Sequence, residues 1–192
     1  MKLLLIRHGA TKGNLEKRYV GITDEPLVEQ ARKDLLCRRK EQQFLLRDFH
    51  RIYVSPMLRC LETADILFPD EKKIVVPGLK ECNFGLFEYK NYQELNGNKD
   101  YQAFIDSEGM CGFPEGEDRT TFQARCVNAF CREVTDEENA AIVCHGGTIM
   151  ALLNQYSSPH RDYYDWQVRN GCGWLADFIR KPEPEICNIV EI

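Results

Sequence analysis

Lys2-Leu3-Leu4-Leu5-Ile6-Arg7-His8-Gly9 is the stretch whose reading decides the fold. The apolar run from Leu3 to Ile6 is too short for a secretory core and passes straight into Arg7-His8. Lys2 to Ile6 therefore reads as a short strand buried on both faces. Two other stretches repeat the pattern of an apolar strand ending in polar groups beside glycine or proline. Ala140 to Cys144 runs into His145-Gly146-Gly147-Thr148, and Arg51-Ile52-Tyr53-Val54 runs into Ser55-Pro56.

Helices are expected between these strands. Pro26, followed by Leu27, Ala31 and Leu35 at helical spacing, predicts a helix from Pro26 to about Gln42. Ser55 as N-cap and Pro56 at the first helical position predict another, with Met57, Leu61, Ala64 and Phe68 as its apolar stripe. Phe122 to Val134 and the segment from Gly146 with Ile149, Met150, Leu152 and Leu153 complete the set. Lys73 to Val76 is a third strand after the first two, and Trp174–Ile179 and Ile186–Val190 are late strands paired at a sheet edge. Strands alternating with helices predict an α/β fold, a three-layer α/β/α sandwich around a mostly parallel sheet. Residues 82–118 are irregular, aromatic and glycine-containing, and are expected to form one or two short helices and a cap or specificity segment.

Composition narrows the function. The 192 residues, 43% hydrophobic and 29% charged, suit one packed domain over 1–192. No apolar run approaches the roughly 18 residues that span a bilayer, so no membrane partner is expected. A net charge of −5 disfavours a nucleic-acid partner and requires any phosphate to be held by a few concentrated cations in a pocket. Nine cysteines without a CxxC pair point to reduced thiols in a cytoplasm, with no zinc or other metal and no cofactor. Oligomeric state is left open.

In an α/β sheet, ligands sit beyond the carboxyl ends of the parallel strands, where the polar groups of this chain gather. His8 and His145 each follow an apolar strand and sit beside glycine, which lets backbone N–H groups approach an anion. Arg7 and Arg59 can grip phosphate oxygens by charge-assisted bonds. Cations around an imidazole help keep it neutral and nucleophilic. Glu81, after the third strand, is the best-placed acid for a leaving oxygen, with Glu88 as the alternative.

Arg7-His8-Gly9-Ala10-Thr11-Lys12-Gly13-Asn14 resembles the signature of the histidine phosphatase superfamily, the phosphoglycerate-mutase-like family. The likeness continues through Arg18-Tyr19-Val20-Gly21 with Asp24 and Pro26-Leu27, then Val54 to Ala64 and Leu79-Lys80-Glu81 with Phe84-Gly85. It resumes at Phe113-Pro114-Glu115-Gly116-Glu117 and closes on Val143-Cys144-His145-Gly146-Gly147-Thr148. The resemblance implies the phosphoglycerate mutase-like fold and a metal-independent phosphohydrolase acting on a small phosphorylated metabolite, His8 being its transiently phosphorylated nucleophile. It implies that Arg7, Arg59 and His145 complete the phosphate pocket and that Asn14, Thr11, Gly21 and the Gly146 backbone add substrate contacts. Glu81 would be proton donor and then base. Ala10, where the family commonly has an acidic or amide residue, and Gln30-Ala31, where a glycine often follows the acidic residue, depart from the pattern without removing a reacting group.

Plainer readings stand beside these. Arg59 could pair with Glu62 or Thr63 on its own helix. His50 and His160 lack the strand-end context and read as structural; Arg18, Lys12 and Lys80 read as solvated. Phe84, Phe87, Tyr89, Tyr92, Tyr101 and Phe104 could line a specificity cavity or pack beneath a cap, while Trp166 and Trp174 read as core. Within the family, the chain's length and the Asp24…Pro26-Leu27 pattern resemble the α-ribazole phosphatase-like small phosphatases. Phosphoglycerate mutase-type phosphotransfer is the enzymatic rival, and a non-catalytic phosphate-binding module the rival from another class.

Overall fold

Alternate residues of β1 (Lys2–Arg7) face opposite sides of the central sheet in the computed structural model, which describes residues 1–135, 137–180 and 182–192. Leu3 and Leu5 join one apolar cluster and Leu4 and Ile6 the other, each with 3% exposure or less. Each such side chain contributes about 1.5–3 kcal/mol on leaving water, so this short run anchors both faces at once.

After β1 come α1 (Lys12–Leu15), α2 (Glu29–Glu41), α3 (Gln43–Leu46), β2 (Arg51–Val54), α4 (Leu58–Leu67) and β3 (Lys73–Val75). Then follow α5 (Lys99–Asp106), α6 (Arg119–Glu133), β4 (Ala140–Cys144) and α7 (Gly146–Tyr156). The two-residue β5 (Ser157–Ser158), β6 (Gly173–Ile179) and β7 (Glu185–Glu191) end the chain. Among the described residues the sheet order is β3-β2-β4-β1-β6-β7-β5. β1 to β4 run parallel, while β6 runs antiparallel to both β1 and β7. Phe130 of α6 and Ile149 and Leu152 of α7 pack on the face of Leu3 and Leu5. Leu35 of α2 and Cys60, Ala64 and Leu67 of α4 pack on the other. The result is the three-layer α/β/α architecture.

Three sequence expectations are corrected. The helix expected from Pro26 begins at Glu29, because Leu27 bridges Thr11 and Val28 N–H donates to Ala10 O, which keeps 26–28 extended. The helix expected at Ser55-Pro56 begins at Leu58. Ser55 does not cap it; Asp24 Oδ1 instead accepts the Leu58 N–H at 2.7 Å. The late hairpin is not confined to the edge, since β6 lies beside β1 and the outer position falls to β5. Residues 82–118 contain one α-helix, α5, and a short 3-10 turn, Gly85–Phe87.

Candidate active site

Register puts the reactive strand ends side by side. Arg7 of β1 pairs with Cys144 of β4, and Val54 of β2 with Val143. The next residues, His8, His145 and Ser55, therefore emerge on one edge. The His8 and His145 rings stand 5.2 Å apart between centroids, at 66° to one another. His8 Nδ1 lies 2.7 Å from Gly9 O. A carbonyl only accepts, so Nδ1 carries the proton and Nε2 keeps its lone pair free. His145 Nε2 contacts Ser55 Oγ at 2.8 Å, which fixes the second ring.

Both imidazoles are held neutral. Burial pushes His8 well below the ordinary histidine range, and the charges of Arg59 and Arg7 push the same way. His145 is lowered likewise, by burial first and then by Arg59 and His8. The charges of Arg7 and Arg59 thus act on His8 and His145 alike.

Arg59 is fully buried, and its guanidinium donates to the carbonyls of Thr23 (2.9 Å), Gly21 (2.8 Å) and Val20 (3.4 Å), leaving Nε without a partner. It does not pair with Glu62, which instead accepts from Arg32 and from the Leu27 N–H. Thr63 bonds back to the Arg59 carbonyl and accepts the Gly9 N–H. Arg7 donates from one terminal nitrogen to Val168 O at 2.8 Å, and its Nε is buried and unpartnered. Burial lowers the Arg7 pKa, and Glu81 opposes that.

Glu81 is the acid at the site. Its carboxylate accepts the Cys82 N–H at 2.9 Å and the Gly147 N–H at 3.2 Å, and burial pushes its pKa up. Glu88 serves elsewhere, accepting the N–H groups of Gly21 and Thr23. Gly146 opens α7 beside the Arg7 guanidinium. Asn14 accepts the Thr11 N–H at Oδ1 at 3.2 Å. Thr11 and Gly21 have internal partners: the Thr11 hydroxyl caps α1, and the Gly21 N–H is taken by Glu88.

Two positioning residues escaped the sequence reading. Asn170 donates to His8 O at 3.2 Å and to Asn14 Oδ1 at 3.1 Å. Arg125 of α6 donates to the carbonyls of Gly78, Lys80 and Glu81 and pairs with Glu117 at 2.8 Å. The Glu117 end of that pair lies in a motif already singled out. Asn170 stands before Gly171, a pair that signals a turn and nothing of its contacts with His8 and Asn14. A cavity of about 490 Å³ opens from Arg7, Glu81, Gly146 and Gly147. Of the aromatics that could either line it or pack beneath a cap, Phe84 and Phe104 line it, Phe87 is buried, and Tyr92 is exposed. Trp166 and Trp174 are in the core, as expected. Among the described residues no three His, Cys, Asp or Glu side chains gather with metal-binding spacing.

A family model described as histidine phosphatase superfamily (branch 1) matches residues 3–180. The chain is 28% identical over 185 residues to adenosylcobalamin/alpha-ribazole phosphatase of Salmonella typhimurium, covering 92% of this chain and 89% of that one. It is 27% identical over 164 residues to 2,3-bisphosphoglycerate-dependent phosphoglycerate mutase 2 of Gloeobacter violaceus, covering 79% and 73%. Its fold is similar to the crystal structure of phosphoserine phosphatase in complex with 3-phosphoglyceric acid from Entamoeba histolytica. There the TM-score is 0.80 and the identity 26%, with 98% of this chain and 95% of that one covered.

Proposed function

Because the chain belongs to the histidine phosphatase superfamily over residues 3–180, we propose that it hydrolyses a small phosphomonoester in two steps, with His8 Nε2 as nucleophile. The observation that carries this reading is the buried His8 ring, 5.2 Å from that of His145, with its Nδ1–H on Gly9 O so that Nε2 keeps its lone pair, and with burial, Arg59 and Arg7 all favouring the neutral form. Nε2 attacks phosphorus as the ester oxygen leaves with the Glu81 proton. Glu81 then takes a proton from water as the water oxygen attacks phosphorus, breaking the Nε2–P bond, releasing inorganic phosphate and restoring both His8 and the protonated acid. Arg7, Arg59 and the Asn14 amide hold the equatorial oxygens, where the transition state spreads its charge. The Gly146 N–H, at the start of α7, adds the positive end of a helix dipole. Thr11 and Gly21 act by shaping the Asn14 and Arg59 positions, not by direct contact with substrate.

The likeness to the Salmonella enzyme makes α-ribazole phosphate the first metabolite to assay. Phosphotransfer of the mutase kind is the second reading, supported by the Gloeobacter relative. A mutase would interconvert phosphoglycerates faster than it released inorganic phosphate. The nine free cysteines fit work in a reducing compartment such as the cytoplasm. Rapid quench into base after mixing with labelled substrate should trap phosphate on His8, and His8→Ala should lose the label and turnover by orders of magnitude. Activity should survive EDTA and be blocked by vanadate. Label on another residue, or full loss with the chelator, would end the reading.

A further inference from the structure

We propose that the cavity beside the phosphate pocket selects phosphomonoesters whose alcohol carries a flat heteroaromatic ring, with Tyr163 and Arg119 as its specificity-determining residues. This rests on the phosphatase reading above. At the reactive end, Arg7 and Glu81 are polar, but beyond them the walls are Tyr19, Phe84, Phe104, Phe113, Phe122 and Tyr163. The volume, about 490 Å³, lies in the range of pockets that enclose drug-sized ligands. A three-carbon acid or glycerol would leave most of that apolar wall against water, gaining nothing from it.

Arg119 supplies the second observation. Its guanidinium carbon lies 3.9 Å from the Tyr163 ring centroid and 5.7 Å from that of Tyr164. No carboxylate pairs with it among the described residues. It is also the first residue of α6, where a cation opposes the helix dipole. A cation kept there over an aromatic face, with only Met110 Sδ on its Nη1 at 3.8 Å, keeps its remaining N–H groups for acceptors on a ligand. Tyr163 is itself held rigidly. It starts the turn Tyr163–Trp166, and Trp166 is buried edge-on against Trp174, whose indole N–H donates to Trp166 O at 3.3 Å. The turn that carries Tyr163 is thus anchored in the core through Trp166.

The test uses primary-alkyl phosphates, so that leaving-group acidity is matched. AMP and 2-phenylethyl phosphate should exceed glycerol 3-phosphate and 3-phosphoglycerate in kcat/KM by about tenfold or more, mainly through KM. Tyr163→Ala should remove about tenfold from both ring-bearing substrates. Arg119→Gln should hurt AMP more than 2-phenylethyl phosphate, which has no ring acceptors. Neither variant should alter glycerol 3-phosphate turnover or inhibition by inorganic phosphate. Equal kcat/KM across the series, or equal losses on every substrate, would overturn the proposal. Calorimetry with 2-phenylethylphosphonate against ethylphosphonate reads the cavity without turnover. If nothing is hydrolysed, the phosphatase reading fails; if the two phosphonates bind alike, the cavity assignment fails.

Discussion

Gly147 gives its backbone N–H to Glu81 Oε2 at 3.2 Å, and a Cβ at residue 147 would run into that carboxylate. The acid is thus seated on the same helix start that follows His145. Gly147→Ala should displace the Glu81 carboxyl and lower kcat toward alkyl phosphates by one to two orders of magnitude, with p-nitrophenyl phosphate spared. General acid catalysis contributes roughly 10²–10⁴-fold, and good leaving groups do not need it. Glu81→Gln should give the same pattern more strongly. Uniform losses on both esters would place the proton donor elsewhere.

Burial raises Glu81 above the ordinary carboxyl range, so it stays protonated further up the pH scale than a free glutamate. Turnover of alkyl phosphates should fall as pH rises through that raised value. A pH–kcat profile should show this limb in the wild type and lack it in Glu81→Gln. An unchanged limb in the variant would exclude Glu81 as its source.

Stability should depend on pH through the two histidines. Both have folded pKa values well below 6.5, so between those values and 6.5 the unfolded chain binds more protons. By linkage, stability is full above about 6.5 and is lost as pH falls, each ring giving a slope of up to about 1.4 kcal/mol per unit. Glu81, raised on folding, acts in the opposite direction above its unfolded value. Urea unfolding at pH 7 and pH 5.5 should show a smaller acid loss in His145→Asn than in wild type. The same loss in both would show that His145 does not drive it.

Arg59, a phosphate ligand in the proposed mechanism, also ties α4 to the carbonyls of Val20, Gly21 and Thr23. Arg59→Ala should weaken vanadate binding and also lower stability by about 2–4 kcal/mol, since buried hydrogen bonds from a charged group are each worth roughly 1.5–3. A urea midpoint like that of wild type would refute the second role.

Asn170 holds the Asn14 amide and the His8 carbonyl from the far end of the chain. Asn170→Ala should raise KM and weaken phosphate inhibition about tenfold, and the effect should shrink when Asn14→Ala is already present. Additive losses in that double-mutant cycle would deny the coupling.

Much of this was legible in the sequence because strand burial is local. Lys2–Ile6, Arg51–Val54 and Ala140–Cys144 each announce themselves by apolar content, and the group that follows each one is therefore placed. Helix starts were less legible at Pro26 and Ser55. In both, long-range partners (Ala10 for Val28, Asp24 for Leu58) override the capping rules. Asn170, Arg125 and the Tyr163–Arg119 stack were hidden for a similar reason, as each acts on residues far away in the chain.

β6 runs antiparallel to β1, so the connection entering it, with Tyr163 to Val168, must arrive at the edge where the reacting groups emerge. In the proposed mechanism the reacting groups gather at the parallel strand ends, and this incoming crossover both walls the cavity and holds Arg7, His8 and Asn14 in place. Exchanging Tyr163 and its neighbours there should retune which alcohol is accepted, provided that Val168 and Asn170, which hold Arg7, His8 and Asn14 from the same connection, are kept.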